Sequence, residues 1–245
     1  MWLSKVLVFA ATFILQKASA SDRTLLFRDT HETGSRTVIG VTTDKEMVVL
    51  GQDGEWSDPI ENSCCVVSVA VQLGGIVVGV GVDNQLYEWK SKGGEWSWVG
   101  PTENSCCVIS IAASYGGRLL GITTDNKVAI KKSSSSPWIK IPDSCCFQSV
   151  EILRDGRLFA VTLYGKVKSK VDMATGEWQK LSIDGPEIRT VIYLDELGIS
   201  VALSKDGCEM YKLDDEKMEW GPNINVLGEP CLISMADGLE PELIT

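Results

Sequence analysis

A unit of about 42 residues repeats along this chain, and a tryptophan recurs at the same place in each copy. Successive tryptophans are 40, 42, 40 and 42 residues apart, and a serine or threonine that opens an apolar run recurs at spacings of 42, 39, 41 and 44 residues. Internal repeats with periods of roughly 20 to 50 residues are typical of folds in which each unit buries its faces against its neighbours. The repeated tryptophans, which we expect to be core residues, are Trp56, Trp96, Trp138, Trp178 and Trp220, and the hydroxyl residues are Ser68, Ser110, Ser149, Thr190 and Ser234.

Within one copy the hydrophobic pattern predicts short strands. The runs VVSVAV, IVVGVGV and QLYEWK are rich in valine and isoleucine and are separated by glycine or Asp-Asn turns, which suit tight hairpins. A fourth short strand follows each tryptophan, as in WIKIPD. No segment sustains the period of about 3.6 residues that marks an amphipathic helix. We therefore predict an all-β fold, a five-bladed β-propeller of four-stranded antiparallel blades.

The repeat units lie near residues 24–60, 61–101, 102–141, 142–185 and 186–228, and a further copy begins at 229–238. This last piece reads CLISMADG, which resembles CVISIAAS at the start of an earlier unit. One interpretation is that it docks as a closing strand onto the N-terminal blade, which removes an exposed sheet edge. The other is that TLLFRD, at Thr24–Asp29, is the first blade's own first strand and the tail is an extra edge.

The first twenty residues have the pattern of a secretory signal peptide. Lys5 precedes an apolar run at 7–15, and Ala18-Ser19-Ala20 is a small-residue cleavage site. No later segment approaches the roughly 18 apolar residues that a membrane span requires. We therefore predict that residues 21–245 form a single propeller domain, secreted and extracellular, without a membrane span.

The chain is acidic. It carries 23 basic and 33 acidic residues, a net charge of −10, and loss of the leader removes Lys5 and Lys17, leaving 21 basic residues and a charge of −12. Nucleic acid requires a positive surface, so a nucleic-acid partner is excluded. A cation is permitted, and Asp214-Asp215-Glu216 is the one candidate for Ca²⁺. This acidic cluster is more simply a solvated turn, so we predict no cofactor and no metal site.

Cysteines occur as adjacent pairs at equivalent places in three units, within ENSCC, ENSCC and DSCC. An even number of cysteines in a secreted chain indicates disulfides. Two pairings compete: each doublet closes on itself, which leaves the two isolated cysteines to pair, or the doublets bridge neighbouring blades. Bridging requires Cα atoms within about 7 Å, which favours the first pairing. The eight disulfide candidates are Cys64, Cys65, Cys106, Cys107, Cys145, Cys146, Cys208 and Cys231.

The repeat unit resembles a tectonin repeat, most clearly in WIKIPDSCCFQSVEILRDGRLFAVTLYGKVKSKVDMATGEW at Trp138–Trp178. The resemblance covers essentially the whole chain after the leader and implies a propeller. The family includes secreted carbohydrate-binding lectins, among them tachylectin-like and fish-egg-lectin-like proteins, which makes glycan binding an expectation. This chain departs from the pattern because its links carry a cysteine pair where the family usually has glycine.

Two tryptophans outside the repeat, Trp89 and Trp98, are the candidates for stacking against a ligand. Trp98 follows Trp96 by two residues, so the alternative is that both lie on one face of a strand and belong to the core. Catalysis has little support, because His31 is the only histidine and no hydrolase, zinc-protease or phosphate-loop motif is present. We therefore predict no enzymatic activity and a lectin-like protein whose partner is a carbohydrate. The alternative is an acidic structural protein of the extracellular matrix or of a biomineral. The sequence leaves the oligomeric state open.

Overall fold

The structure is a computed structural model. It describes residues 36–51, 55–114, 116–133, 135–153, 155–173, 176–180, 185–194, 198–214, 219–223 and 230–239. The predicted leader, the TLLFRD segment, His31, and Asp215 and Glu216 of the Ca²⁺ candidate lie outside the described residues.

The described residues form nineteen β-strands and no helix. All strand pairs are antiparallel, and the strands group into five sheets, which confirms the predicted propeller. The strands are β1 Arg36–Thr42, β2 Met47–Leu50, β3 Val66–Val71, β4 Val77–Gly81, β5 Leu86–Lys92, β6 Glu95–Val99, β7 Val108–Ala113, β8 Leu119–Thr123, β9 Val128–Lys131, β10 Ile139–Lys140, β11 Phe147–Ile152, β12 Leu158–Thr162, β13 Val167–Lys170, β14 Gln179–Lys180, β15 Ile188–Leu194, β16 Ile199–Ser204, β17 Met210–Asp214, β18 Glu219–Asn223 and β19 Leu232–Leu239.

Each blade is a meander in chain order, except the first. Blade 2 is β3 to β6, blade 3 is β7 to β10, blade 4 is β11 to β14 and blade 5 is β15 to β18. Blade 1 has the order β19-β1-β2, so its inner strand comes from the C-terminal end of the chain. A bridge between Leu50 and Trp56 adds the fourth position of this blade. The C-terminal strand therefore closes the ring, which resolves the two interpretations of the tail in favour of docking.

The inner strands of the five blades pack side by side around the ring, in the order β19, β3, β7, β11, β15. The repeated serine or threonine lies at a bulge in each inner pair and is buried. Several of these hydroxyls bond between blades: Ser149 Oγ and Thr190 Oγ1 are 2.7 Å apart, and Ser68 Oγ accepts from Ile111 N at 3.1 Å. The repeated hydroxyl thus satisfies buried polar groups where neighbouring inner strands meet.

The hydrophobic core is divided into five clusters, one between each pair of adjacent blades. Strand residues alternate in direction, so each blade contributes one face to each of two clusters. Val38 and Leu203, for example, meet between blades 1 and 5, across the point where the chain closes. No blade could bury both faces alone, which is why the ring is the folding unit.

Trp96, predicted as the repeated core tryptophan of blade 2, packs against the core between blades 1 and 2, but Trp98 takes the position equivalent to that of the other blades. Trp56 and Trp138 each lie against a glycine of the second strand of their blade, so that a Cβ on Gly40 or Gly121 would approach the ring to 2.9 Å. In blade 2 the residue in this position is Trp98, whose ring lies over Gly79, and not Trp96. Trp98 is paired with Trp89 across β5 and β6, and Trp96 lies two residues earlier on β6. Spacing alone could not separate two tryptophans at a distance of two residues.

Candidate functional site at the disulfide-bearing end

All eight cysteines are paired in the structure. Each doublet closes on itself, as Cys64–Cys65, Cys106–Cys107 and Cys145–Cys146, and Cys208 pairs with Cys231. The six cysteines of the doublets are exposed, whereas Cys208 and Cys231 are half-buried. The three adjacent-residue disulfides occupy the links into blades 2, 3 and 4, so they lie at one end of the ring.

Each link is held between two turns by the same pair of backbone hydrogen bonds. We use the term link position for the residue three before the repeated hydroxyl, and second turn for the turn between the second and third strands of a blade. In every blade the link residue's carbonyl accepts from the second turn of its own blade, for example from Val82 N to Cys65 O at 3.0 Å. A backbone carbonyl in the second turn of the preceding blade accepts a hydrogen bond from the N–H of the link residue or of the residue after it, as from Cys65 N to Lys45 O at 2.8 Å. The link positions are Cys65, Cys107, Cys146, Glu187 and Cys231.

The residues before each doublet explain the recurrent ENSCC and DSCC sequences. Asn62, Asn104 and Asp143 all have positive φ, a conformation that asparagine and aspartate tolerate. The serine that follows is buried: Ser63 Oγ accepts from Met47 N at 2.9 Å, and Ser144 Oγ accepts from Val128 N at 3.1 Å. The motif therefore turns the chain, buries its serine against the preceding blade and leaves the cysteine pair at the surface.

Two links have an additional side-chain anchor. In blade 3 the buried Lys131 ammonium donates to the carbonyls of Glu103, Asn104 and Ser136 at 2.8, 3.1 and 2.5 Å. Burial lowers the pKa of Lys131, and the nearby Glu103 carboxylate opposes that shift. In blade 2 the Trp98 indole N–H donates to Ser63 O at 2.9 Å. The links into blades 2 and 3 are thus held by side-chain as well as backbone hydrogen bonds.

Exposed apolar side chains adjoin the doublets in blades 2 and 4. Val82, whose N–H bonds to Cys65 O, is 52% exposed, and Leu163, whose N–H bonds to Cys146 O, is 45% exposed. Tyr164 follows Leu163 in the same turn and is 78% exposed. The three doublets together with Val82, Leu163 and Tyr164 form what we call the sulfur arc.

Carboxylates stand beside the arc in blades 2 and 3. A hydrogen bond from the Tyr87 hydroxyl, at 2.7 Å, lowers the pKa of Asp83. A hydrogen bond from Lys140 Nζ, at 2.8 Å, is the largest cause that lowers the pKa of Asp125. Both groups therefore stay ionised at neutral pH, and both lie on exposed second turns. The arc combines apolar sulfur and side-chain surface with fixed hydrogen-bond acceptors.

Blades 5 and 1 complete this end of the ring with different chemistry. Glu187 takes the link position of blade 5, and its carboxylate pairs with Lys205 Nζ at 2.5 Å, which lowers the pKa of Glu187. The link into β19 carries Cys231, bonded to Cys208 beside the second turn of blade 5. That turn approaches so closely that a Cβ on Gly207 would lie 1.9 Å from Leu232 O. We call the region formed by Glu187, Lys205, Cys208 and Cys231 the charged sector; it has no adjacent-residue disulfide.

Of the two tryptophans predicted to contact a ligand, Trp89 lies inside the protein and Trp98 is partly buried. Trp89 is 3% exposed and packs edge-on to Trp98, with ring centroids 5.0 Å apart. Trp98 is half-buried, with its ring over Gly79 and its indole N–H bonded to Ser63 O. The exposed residues Val82, Leu163 and Tyr164 were missed. A signal for them exists, since the other blades place Thr43, Thr124, Lys205 or aspartates at these turn positions.

The remaining sequence-predicted features can be placed only in part. Within the residues that the structure describes, no group of three or more histidine, cysteine, aspartate or glutamate side chains is arranged to hold a metal ion. No described helix is long and apolar enough to cross a membrane.

Comparison with known proteins supports the fold. No protein-family model matches the chain, and no curated protein matches its sequence. Among solved structures, a nidogen/laminin complex chain is similar with a TM-score of 0.55 and 9% identity, covering 84% of this chain and all of that one (100%). A gluconolactonase from Xanthomonas campestris is similar with a TM-score of 0.57 and 12% identity, covering 78% of this chain and 73% of the other.

A structure of YCF48 bound to a D1 peptide has a TM-score of 0.44 and 17% identity, covering 77% of this chain and 63% of that protein, so this chain spans less than two thirds of its length. The neighbours are β-propellers, and at these identities the likeness concerns the fold alone. The predicted tectonin family has no support from a family model or from a sequence match.

Proposed function

We propose that this chain is a secreted, non-enzymatic binding protein that holds glycans against the sulfur arc. The observation that carries the proposal is the presence of three exposed adjacent-residue disulfides at equivalent link positions of consecutive blades. Disulfides are typical of proteins from oxidising compartments, which supports secretion.

The arc is more than a structural requirement of the fold. A disulfide stabilises mainly by closing a loop in the unfolded chain, and a bond between neighbouring residues closes essentially none. The link into blade 5 has Glu187 in place of a cysteine and still makes both backbone hydrogen bonds, Lys205 N to Glu187 O and Ile188 N to Gly165 O. The two backbone hydrogen bonds of a link therefore form without a doublet, which supports a role for the doublets in the surface that they present.

The chemistry of that surface suits a carbohydrate. A sugar ring has an apolar face, which packs on flat apolar or aromatic surface, and hydroxyls, which donate to carboxylates. Blades 2 and 3 each place a doublet beside an ionised aspartate, Asp83 or Asp125, and blade 4 places one beside the exposed Tyr164 ring. Three related sites on one rigid ring would bind a repetitive glycan more tightly than any one site alone.

The test is a glycan array probed with the full chain and with a matched pair of variants. Val82→Asp introduces a charge into the arc, and Ile76→Asp introduces the same charge at the opposite end of the same blade. Ile76 is 45% exposed, close to the 52% of Val82, so the two changes should perturb folding equally. We expect Val82→Asp to weaken retention at least about tenfold, a loss near 1.4 kcal/mol, and Ile76→Asp to leave it unchanged.

Two results would overturn the proposal. If no glycan retains the wild-type chain, glycan binding fails, and recovery of the protein from a demineralised matrix would then support the acidic structural alternative. If both variants lose binding equally, the ligand lies elsewhere than the arc.

A further inference from the structure

We infer that the three adjacent-residue disulfides are thiol-exchange sites, and that a small thiol converts each into a preorganised dithiol that binds a thiophilic ion such as trivalent arsenic. This function does not depend on glycan binding, because it concerns the sulfur atoms themselves. It rests on a difference between the two kinds of disulfide at the same end of the ring.

The first part of that difference is access. All six cysteines of the doublets are exposed residues, which favours attack by an incoming thiolate. Cys208 and Cys231 are both half-buried, where blade 5 meets the closing strand of blade 1. Exposed disulfides are the labile ones, and those that hold elements of a fold together resist reduction.

The second part is what each bond holds in place. Reduction of Cys208–Cys231 removes a cross-link between residues 23 positions apart, which connects blade 5 to the closing strand β19. Reduction of Cys64–Cys65 frees no such connection, because the two residues remain joined by their peptide bond. Reduction of Cys208–Cys231 therefore lowers the stability of the fold, whereas reduction of a doublet changes it little.

The third part is the backbone around the doublets, which keeps the product organised. Cys65 N donates to Lys45 O, Cys65 O accepts from Val82 N, and the buried Ser63 hydroxyl accepts from Met47 N. None of these hydrogen bonds involves a sulfur atom, so they persist after reduction. The two thiols stay on one short, fixed segment, which lowers the entropic cost of binding one ion between them.

The chemistry balances with a small thiol as the reductant. A thiolate attacks one sulfur of the doublet, the sulfur–sulfur bond breaks and a mixed disulfide forms. A second thiol releases the protein sulfur, so two thiols are oxidised to one external disulfide and the doublet gains two hydrogens. The resulting dithiol condenses with an aryl arsenoxide, which forms two arsenic–sulfur bonds and releases one water. Thiolates are the ligands that soft ions select.

The experiment titrates the folded full-length chain with reduced glutathione, then adds either iodoacetamide or phenylarsine oxide and measures intact and peptide masses. Circular dichroism on the same samples reports whether the fold persists. We expect the three doublets to be reduced and alkylated while Cys208–Cys231 stays intact, and three arsenic adducts per chain. Neither measurement involves a glycan, so a negative glycan array leaves this result unaffected.

Two double variants serve as matched controls. Cys64→Ser with Cys65→Ser should lower both counts from three to two, whereas Cys208→Ser with Cys231→Ser should leave both at three. Three outcomes would contradict the inference: reduction of Cys208–Cys231 as readily as the doublets, loss of the fold on reduction of the doublets, or reduced doublets that take up no arsenical.

Discussion

The links into blades 2, 3 and 4 differ from the links into blades 5 and 1, although all five use the same backbone hydrogen bonds. The first three carry an adjacent-residue disulfide, the fourth carries the Glu187–Lys205 ion pair, and the last carries the Cys208–Cys231 bond. One pattern of backbone hydrogen bonds thus supports three chemistries, although Cys65, Cys107 and Cys146 have a positive φ and the other two link residues do not. The propeller therefore determines where a link lies, while the side chains of the link differ, serving stability at Cys208–Cys231 and, as we propose, ligand binding at the three doublets.

The largest expected effect is at the closing strand. Cys208→Ser with Cys231→Ser removes a disulfide that spans 23 positions, and the loop-entropy relation gives a loss of about 3 kcal/mol in the free energy of unfolding. Denaturant unfolding of wild type and variant measures this loss. A change below about 1 kcal/mol would show that backbone pairing of β1 with β19 closes the ring without covalent help.

The second largest loss of stability is expected at Lys131, which anchors the link into blade 3. Lys131→Met keeps the length of the side chain and removes the donor to three backbone carbonyls, so we expect a loss of about 2–3 kcal/mol, since buried acceptors are left without partners. The neighbouring Lys132 is exposed, and Lys132→Met should change the unfolding midpoint very little. Equal effects of the two variants would mean that the Lys131 ammonium contributes nothing specific.

The third prediction contrasts β11 with the other inner strands. Two residues after the repeated hydroxyl, β11 has Glu151, where the others have Ala70, Ala112, Ile192 and Ala236. Burial, and then repulsion from Asp237, raises the pKa of Glu151 from 4.5 to about 8. Because the folded state binds this proton more tightly than the unfolded state, the contribution of Glu151 to stability is fully present below pH 4.5 and is lost as pH rises from there to about 8.

The slope of that loss is at most about 1.4 kcal/mol per pH unit, and we expect a total on the order of 2 kcal/mol between pH 5 and 8. Glu151→Gln should remove this part of the pH dependence while leaving the contributions of the other carboxyls. Unfolding curves at several pH values measure it. A wild-type stability that rises through the same range, with no difference from the variant, would contradict the raised pKa.

The smallest expected effect is at the doublets. Cys106→Ser with Cys107→Ser should change the free energy of unfolding by less than about 0.5 kcal/mol, because no loop is opened and the link keeps its hydrogen bonds to Asn84 O and Thr124 N. The Cys208 and Cys231 double variant, measured under the same conditions, is the reference. A loss as large as that of the reference would remove the distinction between the two kinds of disulfide.

Much of the fold could be predicted because repetition makes it a local problem. A period near 42 residues, four strand-like runs and turns at fixed places define one blade, and five copies define the ring. The distance limit on a disulfide favoured the pairing of neighbouring cysteines without excluding bridges between blades, and the structure has the neighbouring pairs. The register of tryptophan in blade 2 did not follow, because Trp96 and Trp98 fit the spacing equally well and only contact with Gly79 distinguishes them.

The candidate site could be predicted less well. Trp89 and Trp98 were chosen because large aromatic residues outside a repeat suggest a ligand surface, but one is in the core and the other covers a glycine. The exposed arc is formed by Val82, Leu163 and Tyr164 with the doublets, residues that come from three different blades. Their exposure depends on how turns of neighbouring blades meet, which no single unit contains.

By itself, the sequence determined the blade, the number of blades and the place of the cysteine links, because strand periodicity and turn chemistry act over a few residues. The tertiary structure decided three further things: that β19 fills the inner position of blade 1, that the repeated tryptophan of blade 2 is Trp98, and that the doublets share one exposed end with apolar turns. The first and the third depend on contacts between distant parts of the chain and between blades, and the second depends on the contact of Trp98 with Gly79 within blade 2, so packing selects among local patterns that are otherwise equivalent.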